Sequence, residues 1–212
     1  MDDEQSAAYA QRRRAILKAA ARIYAERGSA AISLDPLSIN MGHVHNYVRR
    51  YFPIKAELVF ALLNEHLGDL LTALGRADDV ALDPRARLDA LAAAYLEHAL
   101  GEGADAHRAF RQMLHWVLPE ARLDLVARER WLTALFADAL TAAVPGLAAD
   151  PALAAPLVLS LFAMLNGALH WLREAGPLSR ADYAALAVSA IVAAAEAPPR
   201  VRGTTSDGFA MF

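Results

Sequence analysis

The stretch Val44–Phe52, VHNYVRRYF, gathers side chains suited to reading and holding a polyanion. Asn46 carries the amide that pairs bidentately with adenine, and Arg49 the guanidinium that does the same with guanine. His45 and Tyr47 sit beside them on the same short segment. Ser33 ahead of a short helix, Tyr51 and Lys55 suit phosphate oxygens, which fix position rather than sequence. Arg49 and Arg50 fit either task. His43 precedes the group, and with His45 it makes a conceivable metal pair. Two neighbouring histidines on a polar turn are far more often solvated, so no metal site is expected.

Charge supports a nucleic-acid reading of this region. From Ala10 to Phe60 nine Lys/Arg face three acids, a net +6. From Ala61 onward 12 basic residues face 18 acids, a net −6, within a chain of −3. A basic head on an acidic body predicts a polyanion-binding module joined to a second function. Solvation of helix faces is the plainer explanation of such charge, and only the local motif tips the balance.

A second set of residues suits a small-molecule cavity. Tyr95, His98, Phe110, Met113, Leu114, Trp116, Val117, Trp131, Leu135, Met164 and Trp171 supply aromatic, thioether and aliphatic surface. Arg111, His115 and Asn166 supply polar anchors. Taken singly, most of these are ordinary core. As a set they favour an apolar or amphipathic ligand over a sugar or a nucleotide. Catalysis finds less support. Glu97, His98, His107 and His115 lack the HExxH spacing, and no GxSxG or phosphate-loop glycine pattern occurs. The absence of cysteine removes thiol chemistry, thiolate-bound zinc and disulfides. No enzyme activity and no cofactor are expected.

The elements that must position these groups read as helices throughout. Apolar residues recur at three- and four-residue spacing, and no convincing stretch alternates with period two. The pattern predicts an all-α chain of about nine helices: Tyr9–Arg27, a short one capped by Ser33, Val44–Arg50, Lys55–Leu74, Arg85–Leu100, Asp105–Leu118, Glu120–Ala143, Ala152–Glu174 and Ser179–Ala197. Gly28 and Gly42 mark a helix stop and a tight turn. Leu58, Leu62, His66 and Leu70 fall on the inward face of the linking helix. Residues 1–8 and 198–212 read as flexible tails, 9–54 as a helix-turn-helix head, and 55–197 as a helical body.

Pro151–Leu172 carries no charge and is long enough to span a bilayer. Two prolines, Asn166, Gly167 and His170 interrupt it, and no aromatic belt flanks it. It reads instead as a helix covered on all sides, as at a subunit interface, so no membrane partner is expected. With residues 1–14 polar and then basic, lacking an apolar secretory core, a cytoplasmic location is expected.

Three ordered blocks, RRRAILKAAARIYAERG, SLDPLSINMG and YVRRYFPIKAELVFALL, resemble the TetR/AcrR transcriptional regulators. The matching positions are Arg13, Ile16, Leu17, Ala19, Ala20, Tyr24 and Gly28, then Ser33, Leu37, Ser38 and Gly42, then Tyr51, Phe52, Lys55 and Leu58. His43–Val44 departs from the family's Val-Ser, which removes the usual hydroxyl cap of the recognition helix, and Arg49 replaces a tyrosine. The segment Leu169–Tyr183 is weakly similar to a turn in members that respond to acyl thioesters. The resemblance implies a homodimer joined through the last two long helices. It implies binding to a palindromic stretch of double-stranded DNA, and release by a small-molecule effector. The alternative is a relative that has lost specific DNA binding and acts as a ligand-binding or protein-interaction module.

Overall fold

In the computed structural model, which describes residues 3–197, alanine- and leucine-rich segments wind into eight α-helices, and no strand occurs among the described residues. They are α1 (Asp3–Arg27), α2 (Leu34–Asn40), α3 (Lys55–Ala77) and α4 (Pro84–Leu100), then α5 (Ala104–Met113), α6 (Pro119–Ala143), α7 (Ala154–Gly167) and α8 (Arg180–Glu196). Gly28 (φ +76°) and Gly42 (φ +77°) occupy the left-handed region that a side chain resists, and they end α1 and turn the chain after α2. Asp83 caps α4 by accepting from the Arg85 and Ala86 amides, with Pro84 at the first helical position. Ser179 caps α8 by accepting from the Asp182 amide.

Several boundaries differ from the sequence reading. Helix α1 begins at Asp3 rather than Tyr9, so the part of the expected N-terminal tail that is described is helical. The expected C-terminal tail, 198–212, lies outside the described residues. The expected Asp105–Leu118 helix stops at Met113, and Leu114–Trp116 tighten into a 3-10 turn before Pro119. The residue before a proline is driven out of the helical region, and Leu118 is extended (ψ 144°). The expected Ala152–Glu174 helix is cut to α7, with 3-10 turns at Pro151–Leu153 and Ala168–His170. Gly167, a poor helix former, closes its last turn.

The largest difference lies in the segment Val44–Arg50, which was expected as an α-helix. It forms turns followed by a 3-10 turn, Val48–Arg50. An α-helix starting at Val44 would bond the Val48 amide to the Val44 carbonyl. Here the Val48 amide donates instead to Ser38 Oγ at 3.1 Å, while Ser38 donates to the Leu34 carbonyl at 2.8 Å. With no hydroxyl at position 44 to cap the first turn, the buried Ser38 takes over that donor.

Two apolar cores meet along α3. Ile16, Ala20, Ile23, Leu37, Val48 and Phe52 form the first with Leu58, Leu62, Leu63 and Leu67 of α3. This core also takes in Ala109, Phe110 and Met113 of α5, Val117 after it and Leu125 of α6. Leu70 and Leu74 of the same helix enter the second core, built from α4, α6, α7 and α8. Each fully buried leucine contributes on the order of 2 kcal/mol. Helix α3 is therefore clamped at both ends by burial and forms one rigid piece spanning head and body.

Candidate nucleic-acid interface and ligand cavity

Sequence spacing places the head's polar residues on one exposed tip. His43, His45, Asn46, Arg49 and Arg50 are all exposed. His43 stacks on Tyr47 with centroids 3.7 Å apart, Tyr47 lies 5.6 Å from Tyr51, and Tyr51 stacks 5.0 Å from Tyr9. The result is a ladder of four rings beside the arginines. Burial raises the Tyr47 phenol above its ordinary pKa, with Tyr51 adding to the shift, so the phenol stays protonated and able to donate.

Two expected phosphate ligands are engaged elsewhere. Arg49 forks onto Asp35, with Nε 2.9 Å from Oδ1 and Nη2 3.0 Å from Oδ2. That contact holds the Asp35 carboxyl below the usual carboxylate range. Lys55 lies over the Trp116 ring, 3.6 Å from its centroid, and burial lowers its pKa. Residues of the DNA set and the ligand set thus meet, tying the start of α3 to the turn after α5. Tyr24 of α1 donates to Gln112 of α5 at 2.7 Å, a second tie between head and body. Ser33 holds the N-cap position of α2 without a side-chain capping bond, contrary to expectation.

The ligand set divides. Tyr95, Phe110, Arg111 and Asn166 line a cavity of about 170 Å³ with Leu67, Leu70, Leu132 and Phe162. His98 lines a separate open groove of about 1100 Å³ between α1, α3 and α4. Met113 and Val117 are buried in the head's core, against which Leu114 and Trp116 pack. Leu135 belongs to the body core, where Met164 packs against it. His115, Trp131 and Trp171 are exposed.

Tyr95, His98 and Asn166 belong to the expected ligand set, but His66 and His107, which organise the cavity with them, do not. His107 Nε2 lies 2.7 Å from Asn166 Oδ1, and Tyr95 donates its hydroxyl to the same oxygen at 3.0 Å. With that oxygen as acceptor, the tautomers follow from the network. His107 Nδ1 accepts from His66 Nε2 at 3.1 Å, and His66 Nδ1 accepts from His98 Nε2 at 3.3 Å. Three neutral imidazoles then form a one-way relay from the groove to the cavity, joining α4, α3, α5 and α7.

Burial, reinforced by the neighbouring histidines, pulls His66 down to about 2. Burial takes His107 to about 4 against the opposing pull of Asn166. Burial also lowers His98 and pushes Tyr95 up to about 12. Glu129, also on the cavity wall, is raised by burial while Arg111 draws it down. The inward stripe through His66 signalled part of the relay. Nothing in the spacing joined it to His107, 41 residues away.

No group of three or more His, Cys, Asp or Glu side chains among the described residues is arranged to hold a metal ion. Two segments, Lys55–Ala77 and Pro151–His170, are long and apolar enough to cross a membrane. The first is α3, half buried in the two cores. The second contains only the short α7, and 28% of its most apolar window is buried.

A three-element helical head on a helical body, joined by one continuous helix, defines a class of two-part all-α proteins. The family model for the tetracyclin repressor-like C-terminal domain matches residues 81–195, more than half of the chain. The chain belongs to the TetR family. It is 36% identical over 121 residues to an HTH-type transcriptional repressor of Mycobacterium tuberculosis, an alignment covering 54% of this chain and 63% of that protein. A TetR-family regulator from Bordetella parapertussis superposes with a TM-score of 0.78 at 24% identity, covering 84% of this chain and 93% of that one. AibR, solved in complex with isovaleryl coenzyme A and operator DNA, superposes with a TM-score of 0.69 at 22% identity, covering 84% and 97%. At these identities the two structures establish the shared fold.

Proposed function

We propose that the chain is a homodimeric repressor of transcription that holds a palindromic operator through its basic head and is released by an apolar or amphipathic small molecule. The observation that carries this reading is the course of α3, which enters the head's core at Leu58 and the body's core at Leu70. A shift of the cavity walls is delivered to the head without a flexible joint. In a dimer the two heads would sit about 34 Å apart, the spacing of successive major grooves, and the effector would change that spacing. The effector can do so only through unequal affinity for the two arrangements. AibR's complex with an acyl thioester and its operator supports an acyl-type effector here.

The exposed apolar surface of α7 and α8, where Leu159 (57% exposed) and Leu186 (56%) face outward, supports dimerisation. Paired about a two-fold axis, these helices make a four-helix bundle. The apolar Pro151–His170 segment is broken into a 14-residue α7 flanked by 3-10 turns, and in this reading a partner subunit rather than lipid covers it, in a cytoplasmic protein. His45 and Asn46 face the bases, while Ser33, His43, Tyr47, Arg50 and Tyr51 serve the phosphates and Lys55 braces α3. The turn-rich recognition segment and the Asp35–Arg49 fork favour a second reading, in which the ligand-binding body persists and operator recognition is lost.

Fluorescence anisotropy against labelled duplexes from the chain's own upstream region, across a salt series, separates the two. Nanomolar binding to one palindrome, weakening steeply with salt, is the expected result. Sequence-blind binding, or none at low salt, would sink the repressor reading and leave the second.

A further inference from the structure

The relay ends on an amide of which one half is committed. Asn166 Oδ1 accepts from both Tyr95 and His107, and these two donors lock the amide plane. Its Nδ2 carries two N–H groups that no described residue accepts, on a side chain lining the cavity. Arg111 and Glu129 stand on the same wall with opposite charges. An anionic ligand meets Glu129 and a cationic one meets Arg111, so the lining favours a ligand without net charge. Beyond these and the relay's own His66, His107 and Tyr95, the walls are leucine, phenylalanine and alanine with one hydroxyl, Thr133, which is spent on the Glu129 carbonyl. A void of about 150 Å³ lined by such residues holds benzene, which sets the scale for the 170 Å³ seen here.

Resting on the ligand-responsive reading above, we infer that the cavity takes an uncharged carbonyl compound of single-ring or short branched-chain size. Its carbonyl oxygen accepts from Asn166 Nδ2, and its apolar body fills the space between Leu67, Leu132 and Phe162. The histidine relay positions the amide. A neutral relay keeps the oxygen of Asn166 occupied and its nitrogen turned to the ligand. The same carbonyl occurs in a free ketone and at the acyl end of a thioester.

Calorimetry on the full chain with acetophenone, ethylbenzene and benzoate tests this directly, because the three share a ring and differ in one group. Acetophenone is expected to bind about tenfold tighter than ethylbenzene, the worth of one hydrogen bond. Benzoate is expected to bind more weakly than acetophenone. In Asn166→Asp the acceptors for Tyr95 and His107 remain but the donor is gone. The ketone's advantage should fall to about twofold or less while ethylbenzene is unaffected, a pattern that general structural damage does not produce. Should that variant fail to fold, the side-chain amide signal of Asn166 in the native protein provides the same test. It should shift with acetophenone and not with ethylbenzene.

Equal binding of ketone and hydrocarbon by the native protein, or preference for benzoate, overturns the inference. Benzoyl coenzyme A distinguishes the two sources: binding tighter than acetophenone assigns the acyl end of a thioester, and weaker binding a free carbonyl compound. Operator anisotropy run alongside keeps the two readings apart. Ketone binding that leaves the operator affinity unchanged upholds the cavity and defeats the effector reading. An operator complex in a protein that binds none of these probes does the reverse.

Discussion

The head and the body hold their recognition groups in opposite ways. In the head, Asp35 grips Arg49 at the exposed surface and Ser38 grips Val48 only ten residues away in sequence. In the body, His98, His66, His107, Asn166 and Tyr95 are drawn from four helices, bonded partners lie up to 71 residues apart, and their bonds are buried or partly buried. Exposed ion pairs are worth little and yield to competitors, whereas a network of hydrogen bonds shielded from water is costly to disturb. A surface that must exchange its internal partners for phosphates gains from weak local ties. A cavity that must discriminate one ligand gains from rigid ones.

Acid should break the comparison most forcefully, and on the body's side alone. His66 and His107 are neutral in the fold with pKa values near 2 and 4, while unfolded histidine lies near 6.5. Below about pH 6.5 the unfolded chain therefore binds protons that the folded chain refuses. Stability is full above that pH and falls towards pH 4 by up to about 1.4 kcal/mol per pH unit for each histidine. Thermal melts across that range measure the slope, and His66→Met should remove about half of it. An unchanged slope would show that the relay does not carry the acid response.

Ser38→Ala tests the head's buried exception. It strands the Val48 amide, with an expected loss of about 1–2 kcal/mol in urea unfolding. A variant as stable as the parent would mean that Val48 finds a helical partner, and far-ultraviolet circular dichroism would register the added helix. Asp35→Asn should have the smallest effect on stability, too small to separate from the parent in urea unfolding, because the pair is so exposed. By freeing Arg49 it should steepen the salt dependence of duplex binding by about one counterion. If the slope does not move, Arg49 reaches phosphate despite Asp35.

The sequence made the body's frame easy to read and its interior hard to read. Pro84, Pro119 and Ser179 announce α4, α6 and α8 because proline and serine act within one turn of where they stand. The inward face of α3 was likewise visible in Leu58, Leu62, His66 and Leu70. Of the expected ligand set, Tyr95, Phe110, Arg111 and Asn166 line one cavity while Trp131 and Trp171 are exposed, since aromatic character does not say which face is covered. The relay is not legible in the sequence because its partners share no local spacing. The recognition segment resists reading for a different reason. The missing hydroxyl at Val44 is plain in the sequence, whereas the hydroxyl at Ser38 that captures the Val48 amide depends on a contact across the turn.

The apolar core that begins in the head and ends on α5 and α6 bears on how such proteins can be recombined. Phe110, Met113 and Leu125 share a core with Ile16, Leu37 and Phe52 although they come from the opposite side of the 54/55 junction. Grafting residues 1–54 onto another body would leave that surface facing foreign side chains. The portable unit is discontinuous: a swap preserving the fold has to carry the α5 face along with the head. Inheritance of a new operator preference by exchange of the N-terminal segment alone would then require compensating changes near residue 110.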